Sequence, residues 1–341
     1  VTRVVAKRRS GWLAVAVAAA SLTVLVACAS SKRAAAVRGT PATPPPPVAS
    51  PVASPVASPV ASPVASPAAE EPTTTAPPAR SLPEPDRTKP PWSQTTVPPI
   101  AVGDVQRDRV ERGQHLRLGT AHGVVHLWRP RGYRHRSAGT VVYLHGYYTD
   151  VDQAWVDHKL AEQFRRSGRN ALFVAVEAPS WNGEGPSWPT LEELFSTIEG
   201  LAKVEIPSGP LVVAGHSGGF RGIVPWLASP RIGEVLLLDG LYQNERSWGD
   251  WLDAAPRGKH RLVLVGLETA ARSEAWLPSR PGAVFLPRVP GRARGLRKAE
   301  QRAPVLYMRS QDDHMAIIEK GEVLPLLLRH GQLHRNAVGT P

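Results

Sequence analysis

A serine set between glycines at the end of an apolar run can carry out acyl transfer. Residues 211–219 read LVVAGHSGG, which places Ser217 in a G-x-S-x-G pattern after a buried-strand signature and before a helical one. So sharp a turn strains the serine backbone and leaves no room for side chains beside it, so glycines flank it. Residues 141–147 read VVYLHGY, a second apolar run closed by His145, Gly146 and Tyr147. Two further runs end in carboxylates. Asp239 follows four apolar residues, 235–238. An unpaired carboxylate there is costly to bury, and a histidine partner removes that cost. Glu268 follows the run 262–265. The run 305–308 is followed by Ser310, Asp312, Asp313 and His314, a polar cluster that could also cap a helix.

These residues need elements to hold them. Residues 115–118 and 124–128 read as a hairpin. Six apolar runs follow, at 140–144, 171–176, 211–214, 235–238, 262–265 and 305–308. Runs of this length and character suit parallel strands buried on both faces. Amphipathic stretches at 154–167, 191–201 and 220–227 separate them, and a last helix is expected over 317–330, interrupted by Pro325. Alternation of this kind predicts a doubly wound α/β sheet: two antiparallel strands, then six parallel ones, eight in all, flanked by helices.

Over residues 115–330 the sequence resembles the α/β-hydrolase superfamily, through GHSGG at 215–219 and the strand-His-Gly turn at 145–146. The resemblance implies an α/β-hydrolase fold with Ser217 as nucleophile. The backbone N–H groups of Tyr147 and Gly218 would form an oxyanion hole. Family chain order is serine, acid, histidine, so His314 is the implied base. Family members place the acid after the seventh strand or the sixth. Asp239 is favoured, with Glu268 and the Asp312/Asp313 pair as alternatives. His145 and His216 belong to the turns and are read as structural. The implied reaction runs through an acyl-enzyme and requires no metal or organic cofactor. Only about twenty residues separate the sixth and seventh strands, so the lid is minimal and the site open. Trp181 and Trp188 lie in a loop on the active-site side, and Trp248 and Trp251 follow the sixth strand. These rings could stack on sugars or aromatic acyl groups or pack the core rim, and a short helix carrying Trp248 and Trp251 could equally cover the sheet edge.

The first hundred residues differ in kind. Arg3, Lys7, Arg8 and Arg9 precede an apolar run over 11–27, which fits a signal peptide over 1–27. Residues 25–28 read LVAC and resemble the bacterial lipobox, which implies cleavage and lipidation at Cys28, the chain's single cysteine. PVAS repeats five times from Pro47, and residues 40–99 hold 19 of the 35 prolines. That composition favours polyproline II over any packed core. Residues 28–99 are therefore expected to be a lipidated, disordered Pro/Ala/Ser-rich tether, and residues 100–341 the hydrolase domain. Placement on a bacterial cell envelope follows as an expectation, at the outer membrane in a Gram-negative cell.

The net charge is +12, but residues 100–341 carry 31 Lys and Arg against 25 acids. No nucleic-acid reader motif is present, and no nucleic-acid partner is expected. The densest basic stretch runs from Arg288 to Arg302. It reads as a solvated loop or as attraction to an anionic surface such as lipid headgroups. One cysteine excludes a disulfide scaffold. The expected activity is that of a tethered serine esterase on a carboxyl ester, lipid or envelope polysaccharide ester. A serine peptidase on the same fold and a non-catalytic envelope-binding lipoprotein are the alternatives.

Overall fold

The computed structural model describes residues 97–256 and 258–337. The expected signal peptide, Cys28 and the tether up to residue 96 lie outside the described residues. No helix among the described residues is long and apolar enough to cross a membrane.

Ten strands form one sheet. They are β1 (Val105–Val110), β2 (Gly113–Thr120), β3 (Gly123–Arg129), β4 (Gly139–Leu144), β5 (Ala171–Val176), β6 (Leu211–His216), β7 (Ile232–Leu238), β8 (Arg261–Gly266), β9 (Val284–Leu286) and β10 (Val305–Arg309). Their order is β1-β2-β3-β5-β4-β6-β7-β8-β10-β9. β1, β2 and β3 pair antiparallel, and β3 meets β5 antiparallel. From β5 onward every pairing is parallel. All eight expected strands are present. The two extra ones sit at the edges, where the apolar pattern is weakest. β1 reads VQRDRV and buries neither face fully. Charged side chains suit an edge strand because they discourage pairing with another chain. β9 is three residues long.

The helices are α1 (Val151–Asp157), α2 (Leu160–Ser167), α3 (Leu191–Ala202), α4 (Phe220–Ile223), α5 (Glu245–Asp253), α6 (Ala270–Trp276), α7 (Lys298–Arg302), α8 (Ala316–Glu319) and α9 (Val323–His330). Two expected helices are each split in two. The 154–167 stretch breaks at Lys159, which is left-handed at φ 50°. The 317–330 stretch breaks at Gly321, φ 69°, and not at Pro325. Pro325 falls in the first turn of α9, where a missing N–H costs little.

Alternate strand residues face opposite core layers. Val142 and Leu144 pack toward α3, α4 and α5. Val141 and Tyr143 pack toward α1, α2 and α9. Each fully buried leucine of this kind contributes about 1.5–3 kcal/mol. Trp188 and, on α5, Trp248 and Trp251 are core residues, so of these four tryptophans only Trp181 is exposed.

A buried polar knot fixes α1 to the sheet. Arg117 on β2 donates from Nε and Nη2 to the two Asp152 carboxylate oxygens, both at 2.6 Å. His126 Nε2 adds a third contact at 3.0 Å. Burial pushes the Asp152 carboxyl up, but the His126 and Arg117 bonds outweigh it and bring it to about 2. Removing one partner of a buried ion pair leaves the other charge uncompensated. Asp152→Ala is therefore expected to lower unfolding free energy by about 3–5 kcal/mol in urea titration. In the wild type the Asp152 contribution is complete above the unfolded carboxylate value of about 4 and is lost as pH falls toward about 2. A loss below about 1 kcal/mol would contradict the assignment.

Candidate active site

Strand ends converge on the site. In a parallel sheet, the loops leaving the C-terminal strand ends share one edge. β6 delivers Ser217 to that edge with φ 49°, a left-handed serine at the strand–helix turn. Such a conformation costs on the order of 1–3 kcal/mol and persists only where packing over-determines it. The packing is visible. A Cβ on Gly146 would come within 2.8 Å of Ser217 Cβ, and one on Gly218 within 2.3 Å of the Tyr147 ring. A Cβ on Gly219 would meet the His145 and Leu144 carbonyls at 2.7 and 2.8 Å, so the β4 and β6 turns approach with no room for side chains between them. Among the described residues, neither the Tyr147 N–H nor the Gly218 N–H has a hydrogen-bond partner.

His145 and His216 hold these turns. His145 Nδ1 donates to the Gly146 carbonyl at 2.7 Å, and its Nε2 contacts Glu177 at 3.0 Å. His216 Nε2 donates to the His314 carbonyl at 2.9 Å. Burial brings His216 down to about 4, so it stays neutral near pH 7.

β7 ends in Asp239, whose side chain is fully buried. Its Oδ1 accepts from the N–H groups of Leu267 (3.1 Å) and Thr269 (2.9 Å) and from the Thr269 hydroxyl (2.8 Å). Its Oδ2 accepts from the Glu268 N–H (3.2 Å) and faces His314 Nδ1 at 3.0 Å. Burial alone would raise this carboxyl. The bonds from His314 and Thr269 reverse that and bring it to about 2.

Glu268 is the second carboxylate at the same nitrogen, 3.6 Å from His314 Nδ1. Burial pulls the His314 imidazole down, but the Asp239 bond and the Glu268 charge outweigh it and leave it raised. Asp312 is engaged by Lys320, and Asp313 accepts from the Ala316 N–H at 2.8 Å as a helix cap. Neither meets the His314 ring.

Two residues enter that the sequence reading did not single out. The Tyr242 hydroxyl donates to Glu268 Oε2 at 2.9 Å and lies 3.5 Å from His314 Nδ1. Tyr242 follows Asp239 by three positions, which was the available signal. Arg221 donates to the Tyr147 hydroxyl (2.9 Å) and to the carbonyls of Asn182 (2.7 Å) and Glu184 (2.9 Å). It fastens the loop after β5 to the turn after β4. Ser217, Gly218, His314, Tyr242, Tyr147 and Glu268 line one cavity of about 780 Å³.

Asp239, Glu268 and His314 place ligand atoms within 4.8 Å of one another, close enough to suggest a cation. Their bonding answers otherwise. Asp239 already accepts four protein N–H or O–H donors besides His314, and Glu268 takes the Tyr242 hydroxyl. The Asp239 carboxylate is thereby saturated with protein donors.

The strand order, with its crossover at β4 and β5 and its serine turn after the central β6, defines the α/β-hydrolase fold. The family model described as "Alpha/beta hydrolase family" matches residues 141–332, more than half the chain, and the chain belongs to that family. Comparison with curated proteins found no match. Among solved structures, the chain is similar to a feruloyl esterase module from Clostridium thermocellum (TM-score 0.45, 10% identity, 69% of this chain and 98% of that one). It is also similar to an S-formylglutathione hydrolase from Agrobacterium tumefaciens (TM-score 0.44, 12% identity, 68% and 100%). Family membership rests on the sequence match and not on these distant likenesses.

The His314 imidazole is expected to titrate above the free value of 6.5. Glu268→Gln should lower its midpoint and Asp239→Asn should lower it further. An NMR titration of the imidazole C2 proton reads this directly. A wild-type midpoint below 6.5, or one unmoved by Asp239→Asn, would contradict the geometry.

Proposed function

We propose that the protein is a serine hydrolase that cleaves carboxylic esters through an acyl-enzyme. The observation that carries this reading is the His314 Nδ1–Asp239 bond at 3.0 Å in the cavity that also holds the left-handed Ser217. With Nδ1 committed to Asp239, Nε2 is the nitrogen free to take the Ser217 proton. The deprotonated Oγ attacks the ester carbonyl. The Tyr147 and Gly218 N–H groups receive the oxyanion, and two such donors contribute several kcal/mol of barrier lowering. His314 then returns the proton to the leaving alcohol. A water, deprotonated by the same nitrogen, releases the acid and restores Ser217. Asp239 keeps the imidazole in one tautomer and stabilises its charged form.

The cellular setting belongs to the same proposal. The n-region, apolar run and LVAC sequence before Cys28 support export and acylation at that residue. The proline repeats support an extended tether between the acylated residue and the hydrolase domain.

Hydrolysis of p-nitrophenyl butyrate tests the reading. Ser217→Ala is expected to lower kcat by at least about 10³-fold. Asp239→Asn should lower it by about 10²–10⁴-fold, and Glu268→Gln by far less. Retained turnover in a folded Ser217→Ala variant would overturn the nucleophile assignment. A larger loss in Glu268→Gln than in Asp239→Asn would exchange the two acids.

A further inference from the structure

The two ends of the sheet carry opposite charge. Because β4 to β10 run parallel, the segments entering them lie at one end and the segments leaving them at the other. The entering and returning segments are 129–138, 165–170, 203–210, 229–231, 258–261, 277–283, 291–304 and 329–337. Together they hold 19 Lys or Arg and two acids, Glu205 and Glu300. The β1–β2 turn at the same end adds one of each, Glu111 and Arg112. The leaving segments are 145–150, 177–190, 217–219, 239–244, 267–269, 287–290 and 310–315. They hold seven acids and one cation, Arg288. The balance of charge over residues 100–341 conceals this separation.

Some of the basic end is internally matched: Arg261 by Glu234, Arg280 by Asp253 and Arg294 by Glu300. Two loops are not. Arg131, Arg134 and Arg136 in one, and Arg297, Lys298 and Arg302 in the other, are exposed and have no ion-pair partner among the described residues. Like charges crowd between these loops. Burial, with Arg335 and Arg329 nearby, lowers Arg169 to about 10. Burial and the Arg292 and Arg166 charges lower Arg329. Arg166 is matched by Glu322, and Arg169 and Arg329 are held by backbone carbonyls, but the exposed cations on either side have no such partner and an anionic surface would supply it.

We propose that the basic end, at the N-terminal edges of the parallel strands, docks on an anionic phospholipid surface and turns the Ser217 cavity outward. Lipid is favoured over nucleic acid by what the end lacks. The exposed aromatic side chains Tyr148, Trp181 and Tyr242 lie in the segments at the cavity end, and Phe285 lies on the edge strand β9. No exposed aromatic among the described residues is left at the basic end to stack on bases. Headgroup phosphates need only distributed cations, each adding to the attraction within a Debye length.

Vesicle cosedimentation of the full chain carrying Cys28→Ser tests this. Any affinity from the N-terminal segment, its cations Arg3, Lys7, Arg8 and Arg9 included, is common to all variants, so the difference between variants is read. At about 50 mM NaCl, vesicles with about 30% phosphatidylglycerol are expected to bind roughly tenfold or more tightly than phosphatidylcholine vesicles. The gap should close near about 500 mM NaCl. Arg297→Glu/Lys298→Glu/Arg302→Glu should lower it by about threefold or more, and Arg131→Ser/Arg134→Ser/Arg136→Ser should reduce it. Both variants should keep their circular dichroism. Equal binding to the two vesicles, or a gap unchanged by salt or by both variants, would overturn the proposal. So would release from vesicles by duplex DNA at equal phosphate concentration, which would move the surface to nucleic acid.

Discussion

The site depends on a carboxylate that has no water around it. Asp239 ends β7 fully buried, and burial of an ionised group is tolerated only where donors replace its hydration. The loop after β8 supplies them: three backbone N–H groups and the Thr269 hydroxyl. The remaining donor is His314. Asp239 thus ties three strand ends together, β7 through its own backbone, β8 through the loop and β10 through the histidine. The same bonds that keep it ionised fix which imidazole nitrogen faces away from it.

The other half of the site depends on backbone contact. The β4 and β6 turns meet closely enough that Gly146 and Gly218 have no space for a side chain. Ser217 and Asp239, on adjacent strands, both adopt positive φ. Two strained residues at neighbouring strand ends are held by dense packing beneath them, where β4, β6 and β7 are buried on both faces. Rigid strands position Ser217 and Asp239, while Arg221 and Tyr242 link the loops above them.

Much of this was legible in the sequence because burial leaves a clear trace there. Apolar runs marked every strand of the sheet interior, and GHSGG marked the turn. Edge strands left no such trace: β1 is charged and β9 is short. Helix continuity was over-read at 154–167 because the apolar period persists across Lys159, although the backbone reverses there. Trp188 packs inside from its loop, and Trp248 and Trp251 from α5, which sequence position alone could not reveal. The choice between Asp239 and Glu268 depended on distance, and both carboxylates turn out to face one nitrogen, at 3.0 and 3.6 Å. Tyr242 meets Glu268 and His314, 26 and 72 residues away in the chain, which no local pattern encodes. The charge separation is similarly a property of topology, since alternate loops in sequence go to opposite ends.

The central claim is that the strained serine on the β6 turn is the group that attacks. Labelling the wild-type protein with a fluorophosphonate and mapping the modified peptide tests it most directly. The adduct is expected on Ser217 alone, with labelling suppressed as His314 becomes protonated at low pH. An adduct at another residue, or a folded protein that takes none near neutral pH, would contradict the account.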